Sequence, residues 1–237
     1  MDTKGTVITW LGHATFKFET TEGKIVVVDP WISGNPMTPD SEKEQREIDL
    51  MLITHGHFDH IADAVDLGKK LKPETFSIPE TSHWLNSKGV PNLGELNKGG
   101  TVEAQGVKFT MTHAVHSCGI TDGDTIVYGG EAAGYVLEFP GGLKVYHAGD
   151  TTVFGDMAII ADLYEPDICL LPIGGWYTMS PKEAAYACDL LGAKTVVPMH
   201  FGTFPILTGT PDELSRLVGD KTEIVELKPG EPVESPT

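Results

Sequence analysis

The sequence predicts an α/β (α+β) domain built as a four-layer αββα sandwich. Two β-rich halves pack sheet on sheet, with helices outside and a site along the seam. Three observations carry this reading. Short runs rich in Val, Ile, Thr and Phe alternate with capped helical segments. The order of these segments in the first half recurs in the second. The 237 residues can bury roughly three-quarters of their unfolded surface, so a single domain over 1–237 needs no disulfides.

Gly5 to Leu11, Ala14 to Thr20 and Lys24 to Asp29 read as three strands, the last two joined by a turn at Thr21-Glu22-Gly23. Asp49 to Thr54 is a fourth, running straight into a histidine-rich loop. The spacing of Ile61, Ala64, Val65 and Leu71 predicts a helix over 61–71. His83 falls in a short polar helix, on the surface. Thr101 to Ala114 reads as a hairpin around Gln105-Gly106. Ser180-Pro181-Lys182-Glu183 combines an N-cap, a first-turn Pro and a capping-box Glu, with Gly192 as the stop. Thr210-Pro211-Asp212-Glu213 repeats that signature ahead of Gly219. Lys194 to Met199 and Thr222 to Leu227 complete the strands.

The internal correspondence is weak but ordered. Thr15 to Glu19, a turn, Lys24 to Asp29, then Ile48 to Thr54 parallels Tyr135 to Phe139, a Gly-Gly turn, Lys144 to Asp150, then Pro166 to Pro172. This predicts two pseudo-repeats, about 5–120 and 130–228.

Charge excludes partners. Seventeen basic against 34 acidic side chains give a net charge of −17. Such a surface repels nucleic acid and anionic membrane, which need clustered Lys and Arg. Arg46 and Arg216 are the only arginines, too few for a clamp on phosphate or carboxylate. A lysine near the site would still admit one phosphate. Met1 to Trp10 lacks a basic region followed by a long apolar stretch, and no apolar run reaches the roughly 20 residues that span a bilayer. Cys118, Cys169 and Cys188 cannot form a disulfide framework. The expectation is a cytoplasmic protein with a small-molecule substrate, no nucleic acid and no membrane partner; a homo-oligomer stays open.

Thr54-His55-Gly56-His57-Phe58-Asp59-His60 carries the chemistry. Imidazole and carboxylate are the ligands of zinc and similar divalent metals. His55 and His57 point the same way from an extended segment, whereas Asp59 and His60 fall where a helix begins. The spacing suggests two adjacent metals. This motif alone cannot complete two sites, and His113, His116, Asp150 and His200 stand at the C-terminal ends of predicted strands, where functional groups gather.

With these residues in view, the chain resembles the metallo-β-lactamase superfamily from Leu11-Gly12-His13 to His200-Phe201-Gly202. Trp10-Leu11-Gly12-His13-Ala14, Asp29-Pro30-Trp31, His147-Ala148-Gly149-Asp150-Thr151 and Pro198-Met199-His200 are similar to one branch: metal-dependent hydrolases of unassigned substrate, ascorbate-6-phosphate lactonase and N-acylphosphatidylethanolamine phospholipase D. The resemblance implies the metallo-β-lactamase fold and two divalent ions, zinc first, with manganese, nickel and iron as alternatives. It implies that His55, His57 and His116 bind one ion, that Asp59, His60 and His200 bind the other, and that Asp150 bridges them. It further implies a hydrolase whose metal-held hydroxide cleaves a small ester, lactone, amide or phosphodiester, with Asp59 also orienting that hydroxide. Iron-dependent redox chemistry on the same fold is the alternative. The complete motif, with both His57 and His60, favours hydrolysis.

The neighbours of this set are read as follows. His13 and His147 are candidates to hydrogen-bond the ligands. His116 is preferred over His113, because residues three apart in an extended chain face opposite ways. Tyr177, after Gly174-Gly175-Trp176, is a candidate oxyanion donor, and Trp176 a candidate pocket wall. Cys118 is read as packing beside the site rather than as a thiolate ligand, and Cys169 and Cys188 as core.

Overall fold

The computed structural model describes residues 1–235. The first half runs β1 (Val7–Gly12), β2 (Thr15–Glu19), β3 (Ile25–Val28), β4 (Leu50–Leu52), α1 (Phe58–Ile61), α2 (Ala64–Leu71), β5 (Glu74–Ser77), α3 (Pro79–Ser87) and β6 (Leu93–Glu95). The second begins with β7 (Thr101–Ala104), β8 (Val107–His113), β9 (Gly119–Asp122), β10 (Thr125–Tyr128), β11 (Ala133–Glu138) and β12 (Lys144–His147). It continues through α4 (Met157–Tyr164), β13 (Ile168–Pro172), α5 (Pro181–Leu191), β14 (Thr195–Met199), α6 (Pro211–Val218), β15 (Glu223–Ile224) and β16 (Pro232–Val233).

Two seven-stranded sheets form, ordered β16-β1-β2-β3-β4-β5-β6 and β7-β8-β11-β12-β13-β14-β15, while β9 and β10 make a separate hairpin. Read in those directions, both sheets show three antiparallel pairings followed by three parallel ones.

Strand alternation builds the layers, because successive side chains point to opposite faces. Val26 and Val28 of β3, Leu50 and Leu52 of β4, Tyr135 and Leu137 of β11, and Ile168 and Leu170 of β13 all meet in the core between the sheets. The alternate residues face the outer helices. Val27 and Met51 pack with Ala64 and Leu85 of α2 and α3. Val136, Cys169 and Leu171 pack with Met157, Ala184, Cys188 and Leu214 of α4, α5 and α6. Both faces of the parallel strands are thus covered, as parallel sheets require. The four layers are those expected.

The helix caps follow the sequence. Glu183 Oε2 accepts from Ser180 N at 2.8 Å, and Thr210 Oγ1 accepts from Glu213 N at 3.2 Å. Gly192 and Gly219 end α5 and α6 at φ 53° and 59°.

Two expectations are corrected. The helix expected over 61–71 is interrupted between α1 and α2, because the Asp63 carboxylate turns back to accept from Ile32 N at 2.6 Å and Ser33 N at 2.9 Å. The strand expected over Thr222 to Leu227 shrinks to Glu223–Ile224, which pair with Thr195 and Val196 of β14.

Candidate metal centre

The candidate ligands come from both sheets and meet at one edge. His55, His57, Asp59 and His60 follow β4; His116 follows β8; Asp150 follows β12; His200 follows β14. His57 Nδ1 lies 3.0 Å from His55 Nε2 and 3.2 Å from His116 Nε2. His200 Nε2 lies 3.0 Å from Asp150 Oδ2 and 3.7 Å from Asp59 Oδ2, and His60 Nε2 lies 3.3 Å from Asp150 Oδ1. Asp150 also faces the first group, with Oδ2 at 3.6 Å from His116 Nε2 and 3.9 Å from His55 Nε2.

This set fits divalent ions. Ligand atoms about 2.0–2.1 Å from a tetrahedral ion stand roughly 3.3 Å from one another, close to the spacings here. Among the described residues the buried His60 Nε2, Asp150 Oδ1 and His200 Nε2 have no hydrogen-bond partner, although they converge on one another. Buried polar atoms are otherwise nearly always paired, so their shared focus is a place for a cation.

Other side chains fix which ring nitrogen is free. Asp29 directly follows β3, whereas Asp150 stands three residues beyond the end of β12. Asp29 Oδ1 accepts from Thr54 N at 2.7 Å, and its Oδ2 accepts from Thr54 Oγ1 and from His60 Nδ1, each at 2.7 Å. Thr54 Oγ1, its proton so committed, accepts from His55 Nδ1 at 3.0 Å. The Nε2 lone pairs of His55 and His60 are thereby left to the centre. Ser117 Oγ stands 3.2 Å from His57 Nε2, leaving Nδ1 inward. His13 donates from Nε2 to Asp59 Oδ2 at 2.9 Å, with Nδ1 held by Thr203 Oγ1 at 2.9 Å. Gly149 makes the turn into Asp150: at φ +62° a Cβ would lie 2.4 Å from Ala133 O. His13, Asp29 and His200 themselves adopt φ of 55°, 53° and 55°, the left-handed region.

Charge follows from burial and neighbours. Burial holds His55, His57 and His116 below the ordinary imidazole value, in the neutral form that binds metal. Burial, then the neighbouring His200, brings His13 down to about 4. Burial also opposes charge on His60 and His200, but Asp150 outweighs it; His60 lies well above its usual value and His200 at about 9. Burial would raise the Asp59 and Asp150 carboxyls. His13 and His200 hold Asp59 below the usual range, and His200 and His60 do the same for Asp150.

The remaining candidates divide. His147 Nδ1 accepts from Gly149 N at 3.1 Å and Nε2 donates to Ala14 O at 3.0 Å, so it braces backbone around Asp150 and hydrogen-bonds no ligand side chain. His113 is exposed, 3.2 Å from Lys98 Nζ and edge-on to Phe154. Tyr177 lines the cleft above the ligands and is 59% exposed. Trp176, expected as pocket wall, is not part of that lining. Cys118 Sγ accepts from Gly56 N at 3.2 Å and donates to Gly129 O at 3.1 Å, a packing role. Asp29, Thr54 and Thr203 were not anticipated. The acidic end shared by the two repeated hairpins was the available signal for Asp29.

A sandwich with a His/Asp cluster at the seam defines a class of metal-binding folds, and a family model described as a beta-lactamase superfamily domain matches residues 24–201. The chain belongs to that superfamily and, within it, to the UPF0173 metal-dependent hydrolases. It is 56% identical to such a protein of Koribacter versatilis over 98% of this chain and 99% of the other. It is 49% identical to one of Rubrobacter xylanophilus over 98% and 97%. Among solved structures it is similar to Igni18, a metallo hydrolase of Ignicoccus hospitalis, with 36% identity, TM-score 0.84 and 96% and 97% of the two chains covered. No helix among the described residues is long and apolar enough to cross a membrane.

Proposed function

We propose that this metal-dependent hydrolase cleaves a small ester, lactone, amide or phosphodiester with hydroxide generated at a dinuclear site. The observation that carries this reading is the position of Asp150, within 3.0–3.9 Å of ring nitrogens from both triads. One triad is His55, His57 and His116; the other is Asp59, His60 and His200. When bound, a pair of divalent ions lowers the pKa of a shared water from 15.7 towards about 7 and polarises the substrate oxygen.

The protein's own groups do the rest. Asp59 is kept ionised and aimed by His13, so it can both bind an ion and accept a proton as the attack proceeds. Asp29 and Thr54 keep the His60 and His55 rings from rotating. Tyr177, on the cleft wall, is the candidate donor to charge developing on the substrate oxygen.

Elemental analysis and an electronic spectrum of the purified protein, with a panel of lactones, phosphodiesters and aryl esters, test this. About two colourless zinc or manganese ions per chain and turnover of one ester class are expected. A stoichiometric iron chromophore without hydrolysis would instead favour redox chemistry.

A further inference from the structure

The cleft over the ligand cluster has a volume of about 660 Å³, within the range of small-molecule sites. Beyond the candidate ligands its wall consists of Phe58, Ser117, Thr121, Tyr177, Phe204 and Ile206. Among the described residues no lysine or arginine lines it. Lys98, on the neighbouring edge, is committed to Glu131 at 2.7 Å and is not part of the wall. The lysine that would admit a distal phosphate is therefore absent from the lining.

The apolar part of the wall is held in place. Trp31, only 5% exposed, stacks on Phe204 with ring centroids 5.7 Å apart and meets Phe58 edge-on at 5.6 Å. Phe58 is nevertheless 57% exposed and Ile206 39% exposed. Large apolar side chains left open on a rigid support beside a polar centre mark a surface that a ligand covers. A carboxylate or phosphate seated against this wall, away from the ligand cluster, would lose water with no lysine or arginine to replace it. The chain's net charge of −17 adds long-range repulsion.

Resting on the hydrolase reading, we propose that this site selects substrates that are uncharged outside the scissile group. An alkyl or aryl portion lies against Phe58, Phe204 and Ile206, and substrates with a second, anionic group are disfavoured.

Two matched pairs test this on metal-loaded protein. p-Nitrophenyl butyrate and mono-p-nitrophenyl succinate differ by a terminal carboxylate on the same acyl length. Valerate and glutarate differ in the same way as reaction-product mimics, and their binding is read by tryptophan fluorescence without turnover. The expected preference is roughly 10- to 100-fold in kcat/KM for the butyrate ester. Binding should favour valerate at least about tenfold. Ile206→Lys, at a partly exposed loop position outside the ligand set, should shrink both ratios by about tenfold or more.

If neither ester is hydrolysed while valerate still binds tenfold better than glutarate, the ester-hydrolase reading fails and the selectivity stands. If both esters turn over with equal kcat/KM and both acids bind equally, hydrolysis stands and the selectivity is overturned. Ratios unmoved by Ile206→Lys would also overturn it, since this wall would then not be what selects.

Discussion

Asp29 Oδ2 stands 2.7 Å from His60 Nδ1, and both residues are wholly buried. This carboxylate chooses the His60 tautomer and, through Thr54, that of His55. Asp29→Asn keeps the shape but replaces one of the two accepting carboxylate oxygens with an NH2 donor. Metal affinity should fall by about 10- to 100-fold, the usual consequence of losing such a partner. Titration with a graded chelator followed by elemental analysis measures it, and wild-type retention would remove Asp29 from this role.

Asp150→Ala should lose at least one of two ions. Its carboxylate lies between the triads, and nothing else among the described residues stands 3.0 Å from His200 Nε2 and 3.3 Å from His60 Nε2 with an opposite charge. The check is metal stoichiometry after dialysis. Two ions kept at full affinity would contradict the bridge.

His116→Ala should lose metal and activity, whereas His113→Ala should keep both. His113 faces Lys98 and Phe154, away from the other imidazoles. The reverse pattern in paired metal and activity assays would exchange the two assignments.

Asp59→Ala should cost several orders of magnitude in kcat, because it removes a ligand and a proton acceptor together. Tyr177→Phe should cost less, at most the roughly 10²–10³ of one lost oxyanion donor, and its high exposure argues for the lower end. Asp59→Asn with metals retained and wild-type rate would refute the proposed acceptor.

The thiols should resist modification in the folded protein. Burial pushes Cys188 up to about 12 and Cys169 higher still, so at pH 8 each carries far less thiolate than a free cysteine. Cys118 is enclosed between Gly56 N and Gly129 O. Ellman's reagent should titrate three thiols only after denaturation; fast reaction of a native thiol would show an opening absent from this fold.

The layers were legible because strand alternation and helix caps are local signals. Phe16 and Phe18, or Ser180 and Glu183, declare their environment within a few residues. The candidate ligand motif, whose side chains the fold gathers at one edge, was legible for the same reason. Asp63 was not, since its partners Ile32 and Ser33 lie about thirty positions away. Asp29 was quoted only as part of a pattern, since a carboxylate at a strand end has no local sign of the histidine it orients. We propose the internal duplication on the common pairing order of the two sheets; in that register Asp29 follows Val28 as Ala148 follows His147, so Asp29 supports His60 from behind while Asp150, two residues further along in its own half, reaches the ligand cluster.

The left-handed backbone at His13, Asp29 and His200 sets a trap for anyone engineering this protein. Each conformation costs a non-glycine residue about 1–2 kcal/mol, and Asn, Asp and His merely tolerate it better than most. An argument from backbone strain alone would therefore point to glycine at these three positions. It would leave the buried partners of His13 and Asp29 unsatisfied, which offsets the relieved strain, and it would discard the groups that aim Asp59, hold His60 and contribute His200 to the candidate centre, so thermostabilisation should begin by freezing all three.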